Sequence, residues 1–472
     1  MAIQLYDSLS RTKRPLTTLE PGAVSMYVCG PTVYDDAHIG HLMGPVLFDT
    51  IARWLRARDY RVRFVNNITD VDDKIINRSI ESGESWSVIA RRYEAAYRDY
   101  LDQLHVTTIT DHPRCSDFIP QMIEFITGLI NDDRAYVASD GVYYDVAKQD
   151  GYGKLSGRKP EDMVSGARIE RDSSLRSPAD FALWKHAKPG EPEWDSPWGA
   201  GRPGWHLECS VMAGELLGDA FDIHGGGDDL KFPHHENEIA QSEARGCAFA
   251  SCWMHNGLIQ YGGVKISKSD PRNKDPAFAA QFKATNLIST YGAATLRFFL
   301  LQGHYRRPFD FEPANLSASR TALERLHKQL GELLTQAGEV SLNEILAREV
   351  SEDAAKHRAA FCEAMDDDFH SGRAVSELFA LAALARKGDA DALLLLRDLG
   401  RVLGLFQVDD QLVSAAPVAN AALSAAMELL IELRADARAR RDFATADRIR
   451  DQLGAAGITI ADGKDGTTWE LA

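Results

Sequence analysis

The sequence predicts an α/β fold on a parallel sheet, followed by a helical bundle and a small C-terminal domain. Three observations carry this. A strand–loop–helix–strand unit lies within the first 65 residues, a further strand runs into three glycines at 225–227, and beyond Asn315 the composition turns to Leu, Ala, Glu and Arg.

Val24 to Val28 is an apolar run ending at Cys29-Gly30-Pro31, which reads as a buried strand followed by a tight loop. Leu47, Ile51 and Leu55 recur at helical spacing after Pro45. That proline suits a first helical turn, where its missing N–H is not needed. Tyr60, Val62 and Phe64 alternate with Arg61, Arg63 and Val65 as in a strand. Together these segments make a βαβ unit, hence a parallel sheet. Residues 188–204, rich in Gly, Pro and Trp, read as an irregular loop, and Phe221-Asp222-Ile223-His224 as a strand that ends in a turn at Gly225-Gly226-Gly227. Packed helices are expected from about 316 to 405, a linker from Phe406 to Ala421, an Arg-rich helical stretch from Leu423 to Leu453, and a short extended or turn-rich tail from Ile458 to Leu471.

A chain of 472 residues exceeds one compact core, so several domains are expected. Hydrophobic residues at 44% and charged residues at 26% describe an ordinary globular balance. No apolar run reaches the roughly 20 residues of a membrane span, and Met1 to Pro15 has no apolar segment of the secretory kind, so a cytoplasmic location and no membrane partner are expected. The formal charge of −16 disfavours nonspecific nucleic-acid binding but leaves room for RNA read through a local surface and its shape. The six cysteines are widely spaced, which argues against a disulfide framework and leaves a few as metal ligands.

Four groups of residues carry chemistry. His38-Ile39-Gly40-His41 precedes the first helix, where unpaired N–H groups suit phosphate; two imidazoles could bond a phosphoryl transition state, and Gly40 would let a nucleotide lie against the backbone. The same four residues also read as a polar helix cap. Lys265-Ile266-Ser267-Lys268-Ser269 could embrace a polyphosphate, or be a solvated basic turn. His234 and Glu238, one helical turn apart, could share one metal ion, or be a surface pair. Arg434, Arg438, Arg440, Arg441, Arg448 and Arg450 around Phe443 could meet unstacked bases, or form a solvated face with Asp442, Asp447 and Asp451.

The first two motifs, in this order around a βαβ unit, resemble the HIGH and KMSKS signatures of class I aminoacyl-tRNA synthetases. Longer strings narrow the resemblance to the cysteinyl-tRNA synthetase family: Met26 to Tyr34, Asn67 to Lys74, Gly201 to Cys209, Asp222 to Gly227, and Phe232 to Glu238. It runs from about Leu5 to Trp469.

The resemblance implies a Rossmann-type catalytic domain over 1–315, with a connective insertion around 105–200 and a lysine loop near 265–269. A helical bundle at 316–410 and an anticodon-binding domain at 420–472 would follow. It implies one zinc ion per chain on Cys29, Cys209, His234 and Glu238, taking the substrate thiolate as a further ligand. Shape alone separates cysteine from serine poorly, whereas a thiophilic metal separates them well. Gly30, Thr69, Trp205 and His224 would hold cysteine. His38, Gly40, His41, Lys265 and Lys268 would serve ATP, accompanied by Mg2+. Arg438, Phe443, Asp447 and Asp462 would touch the anticodon. The implied substrates are L-cysteine, ATP and tRNA-Cys, and a monomer is expected. A cysteine ligase acting on an aminosugar is similar in its catalytic half but lacks the anticodon-binding end. This chain departs from the family pattern at Leu42 and Met43, where a small residue and arginine are usual, at Ile266, and at Asp270-Pro271.

Overall fold

The computed structural model describes residues 2–158, 175–265, 272, 275–335, 341–407, 427, 429–438, 440, 442–455, 458–463 and 466–471. They divide into two compact units, Met1–Leu412 and Val413–Ala472.

The first unit is centred on a four-stranded sheet. β1 (Ala23–Val28) leads through α1 (Ile39–Ala57) to β2 (Arg61–Asn66). Later, α2 (Trp205–Leu217) feeds β3 (Ala220–Gly227), and α3 (His234–Ala244) feeds β4 (Phe249–Asn256). The strand order is β4-β3-β1-β2, and every neighbouring pair is parallel. Val28 lies opposite both Asn66 and Gly225, so the carboxyl ends of β1, β2 and β3 are level. From β1 the chain passes first to one neighbour and later to the other. The crevice above β1 and β3 is therefore the switch point where open α/β sheets bind ligands.

Two sequence expectations about the central sheet and its first helix need correction. The helix expected to begin at Pro45 begins at Ile39 and carries Pro45 inside it. A reciprocal cap starts it early: the Gly40 N–H donates to His38 Nδ1 (3.1 Å), and the His38 N–H donates to His41 Nδ1 (3.4 Å). The glycines at 225–227 do not end their strand in a turn; they are its last three residues, paired with Met254, His255 and Asn256. They are small because neighbours crowd them. A Cβ on Gly225 would sit 2.3 Å from the Phe48 ring, and one on Gly226 would sit 2.8 Å from His235.

Between β2 and α2 lie the helices Asp73–Ser82, Trp86–Gln103 and Ile119–Asn131. An antiparallel four-stranded sheet follows: Ala135–Ala138, Gly141–Tyr144, Phe181–His186 and Gly201–Pro203. This sheet has its own buried cluster around Val142, Tyr144, Leu183 and Trp184. Its last strand lies inside the stretch expected to be a loop. The helices Pro313–Leu330, Glu352–Asp366, Ser371–Ala385 and Ala390–Val402 continue the core that begins under α1.

The second unit pairs helical residues 429–438 and the helix Phe443–Ala455 with a hairpin, Ile458–Gly463 against Gly466–Leu471. Its small core gathers Met427, Leu453, Leu430, Ile449 and Ile460. Among the described residues, no helix is long and apolar enough to cross a membrane.

One buried ion pair ties α1 to the helices behind it. Arg297, in the helix Ala293–Leu301, is fully buried and donates from Nη2 to Asp49 Oδ2 (2.6 Å) and from Nε to the Leu403 carbonyl (3.0 Å). Asp49 also accepts from Arg53 Nε (2.8 Å) and Thr108 Oγ1 (2.7 Å). Burial pushes the Asp49 carboxyl up, but Arg297 and Arg53 outweigh it and leave it below the ordinary aspartate value. Its stabilisation is therefore present above the unfolded-state value of about 3.9 and lost as pH falls through the lower folded value. Asp49→Ala strands the guanidinium in the core and is expected to cost about 3–5 kcal/mol, read as an earlier urea midpoint at pH 7.

Candidate active site and metal centre

The carboxyl edge of the sheet gathers the sequence-predicted metal ligands. Cys29 is the first residue past β1, and its N–H donates to the Gly225 carbonyl of β3 (3.1 Å). Cys209 lies one turn into α2, and His234 and Glu238 are a turn apart on α3. Cys29 Sγ is 3.7 Å from Cys209 Sγ and 3.6 Å from Glu238 Oε1, which in turn is 3.0 Å from His234 Nε2. The four ligand atoms all lie within 4.8 Å of one another. Bonds of about 2.0–2.3 Å to tetrahedral zinc separate the ligand atoms by roughly 3.3–3.8 Å. The donor set and its spacing therefore fit such an ion with little adjustment.

A second set overlaps the first. Cys29, His224, His235 and Glu238 also lie within 4.8 Å. His224, expected beside cysteine, places Nε2 at 2.7 Å from Glu238 Oε2, and His235 Nε2 is 3.3 Å from Cys29 Sγ. Behind them, His235 Nδ1 meets His255 Nε2 (2.8 Å), whose Nδ1 meets Ser8 Oγ (2.9 Å). His206 Nδ1 meets His234 Nδ1 (3.0 Å). Such outer contacts orient ligand rings. Trp205 stacks on His234 at 4.4 Å and is 37% exposed, whereas Trp253 stacks on His224 at 4.4 Å and is buried. The His234 side thus faces the opening and the His224 side faces the core.

Burial sets the charge state. It pushes the Cys29 thiol well up, with Cys209 beside it adding to the effect, and Cys209 is pushed up to about 12. Burial also lowers His234 and His235 far below the ordinary histidine value. The protein alone therefore offers neutral imidazoles and protonated thiols at neutral pH. A bound cation would compensate two thiolates at this spacing.

The remaining predicted residues frame the crevice. The Thr69 hydroxyl donates to Glu208 Oε1, one residue before Cys209, and its N–H donates to the Pro31 carbonyl (3.2 Å). Burial raises the Glu208 carboxyl well above the ordinary glutamate value. The Gly30 N–H donates to Asn67 Oδ1 (2.7 Å), and a Cβ on Gly30 would lie 1.7 Å from the Asn67 carbonyl oxygen. His38 and His41 stack at 3.7 Å at the start of α1. A Cβ on Gly40 would come within 2.9 Å of the His38 ring, so this glycine serves the cap as well as open space. Burial lowers both imidazoles, and Lys74 contributes to the lowering at His41.

Lys265 ends the strand Val264–Lys265, while Ile266, Lys268 and Pro271 lie outside the described residues. In the second unit Arg438 and Phe443 are exposed, and Asp447 pairs with Arg450 (2.9 Å). Asp462 lies on the hairpin opposite Thr467. The sequence reading missed His206, His235, His255 and Glu208. Three of these stand beside residues it did name, and that adjacency was the only available signal.

The fold and the crevice at the switch point are those of a class I tRNA synthetase. Residues 15–321 match the family described as tRNA synthetases class I (C) catalytic domain, 360–407 the DALR domain, and 420–469 the cysteinyl-tRNA ligase anticodon binding domain. A solved methionyl-tRNA synthetase from Mycobacterium tuberculosis, bound by methionyl-adenylate, aligns with a TM-score of 0.57 at 14% identity, over 81% of this chain and 91% of that one. A LeuRS from Agrobacterium radiobacter K84 aligns with a TM-score of 0.57 at 12% identity, over 83% of this chain and 84% of that one.

The sequence is also similar to cysteine--tRNA ligases from Laribacter hongkongensis, at 46% identity over all of both chains, and Nitrosomonas europaea, at 44% over 99% of each. The chain belongs to the cysteine--tRNA ligase family, enzymes that join cysteine to its tRNA with ATP.

Gly30 gives a direct test of how the β1 and β2 loops are laced together. Gly30→Ala forces the Asn67 carbonyl, and Thr69 with it, out of place. Cysteine-dependent exchange of pyrophosphate into ATP is expected to fall by about a hundredfold.

Proposed function

We propose that this ligase selects cysteine as its thiolate on a zinc ion held by Cys29, Cys209, His234 and Glu238. The observation that carries the reading is the convergence of two sulfurs, an imidazole and a carboxylate within 4.8 Å, under an exposed tryptophan. Zinc bound there would supply Lewis acidity that favours a sulfur ligand over a neutral hydroxyl. Of the two overlapping sets we choose this one because it holds both thiols and lies on the side that Trp205 leaves half open.

The chain's own residues do the rest. Thr69, the Gly30 backbone and Trp205 line the place of the amino acid, and His224 steadies Glu238 through Oε2. His38 and His41, neutral at physiological pH, can donate N–H bonds to phosphate oxygens at the helix start. Lys265 and Lys268 are assigned to the polyphosphate, which Mg2+ accompanies. The cysteine carboxylate attacks the α-phosphate and pyrophosphate departs, so positioning and charge compensation carry the step. The 3′ end of tRNA-Cys then attacks the adenylate. Arg438, Phe443, Asp447 and Asp462 are assigned to the anticodon, on the domain at 420–472. The matching anticodon-domain segment at 420–469 favours a tRNA acceptor over an aminosugar. We take the enzyme to work as a cytoplasmic monomer.

Metal analysis is expected to return one zinc per chain. In the cobalt-substituted protein, L-cysteine should intensify the sulfur-to-metal charge-transfer band and L-serine should not. Cys209→Ser should weaken metal binding by at least roughly tenfold, by analogy with the loss of outer-shell partners, and narrow the preference for cysteine over serine. Unchanged metal affinity and preference in that variant would remove the assignment.

A further inference from the structure

We propose that Lys74 is the cation that meets the cysteine carboxylate and the α-phosphate as they join. The inference rests on the ligase reading above and adds a residue to it. Lys74 stands in the first turn of the helix Asp73–Ser82, reached through the loop that leaves the carboxyl end of β2. Its Nζ lies 5.8 Å from the centre of the Tyr34 ring and 5.8 Å from that of Trp205. Trp205 is the ring stacked on His234 at the mouth of the metal site, and Tyr34 belongs to the loop that begins at Cys29. The ammonium therefore hangs between the two walls of the crevice. Its charge reaches the start of α1, where it acts on His41.

Four other cations of the first unit are already matched. Lys185 and Arg202 both pair with Asp73, Arg202 also with Glu191, Lys231 with Asp228, and Lys283 with Asp35. Asp73 is thus turned to other partners, and Asp72 accepts the backbone N–H of Lys74 as the cap of its helix (2.9 Å). Among the described residues no carboxylate ion-pairs with Lys74, although its charge is felt by the Asp72 carboxyl beside it; the two aromatic faces leave its N–H donors open to a ligand.

The reaction needs such a charge. A carboxylate oxygen forms a bond to the α-phosphorus while the bond to pyrophosphate breaks and its electron pair leaves with that group. No proton moves, and two anions must approach. The helix start contributes neutral imidazoles, and the two residues that follow His41, Leu42 and Met43, are buried and apolar. A preorganised cation at the developing charge lowers the barrier for that encounter.

The test is Lys74→Met in the full-length, zinc-loaded enzyme, with Lys74→Arg as the conservative control. The maximal rate of cysteine-dependent pyrophosphate exchange, measured without tRNA, should fall by about a hundredfold. The apparent KM for cysteine and the zinc content should stay within about twofold, and Lys74→Arg should recover at least roughly a tenth of the lost rate. Wild-type exchange with unaltered exchange in Lys74→Met overturns the inference while leaving the ligase reading intact. A raised KM with an unchanged maximal rate also overturns it, since Lys74 would then only brace Trp205. A loss confined to single-turnover transfer from preformed adenylate overturns it too, placing the lysine on the tRNA terminus. Absence of exchange in the wild type would instead remove the ligase reading.

Discussion

A half-buried sulfur and a buried one 3.7 Å apart, with a carboxylate oxygen 3.6 Å from the first, form the arrangement on which the first unit depends. Left alone, such a cluster keeps its protons. Given a divalent cation, it can hold charge that the interior otherwise refuses. The sheet delivers one sulfur at the end of β1, while α2 and α3 deliver the other donors from 180 to 209 residues further along the chain. The parallel register keeps these carboxyl ends level. Gly225 and Gly226 let the Phe48 and His235 rings approach β3 closely, so the glycine-rich strand end is a packing requirement of the site.

The fold was legible wherever the periodicity was strong. The β1–α1–β2 unit is plain from alternation and helical spacing, and so are the helices after Asn315. The start of α1 was not, because the rule that puts proline in a first turn competes with a histidine cap. Here the reciprocal His38–His41 cap prevails and the proline is carried in the helix interior. The glycines of β3 misled for the opposite reason. Glycine usually marks a turn, and only the neighbouring rings, invisible in one dimension, show why it is used in a strand.

The site was half legible. His234 and Glu238 could be placed on one helix face from spacing, but nothing in the sequence joins Cys29 and Cys209 to them. That step needed the family resemblance. Local polarity left a surface pair open as the alternative for His234 and Glu238, yet all five residues from His234 to Glu238 are buried. Their partners lie far away in sequence. Ser8, Cys29 and His255 lie along one imidazole chain, and the loop at 153–156 supplies N–H donors to Glu236.

That stretch of α3 has a further consequence. His234 engages His206, His235 engages His255, Glu236 grips the backbone of Gly153 and Ser156, Asn237 accepts the Tyr152 hydroxyl, and Glu238 faces His224. Five consecutive side chains thus answer to four different parts of the molecule, since Glu236 and Asn237 share the loop at 152–156. Evolution has almost no neutral direction in which to vary this turn, and a single exchange there would demand simultaneous change in a separate element. Lineages that freely rewrite their surface loops should therefore inherit this pentapeptide intact.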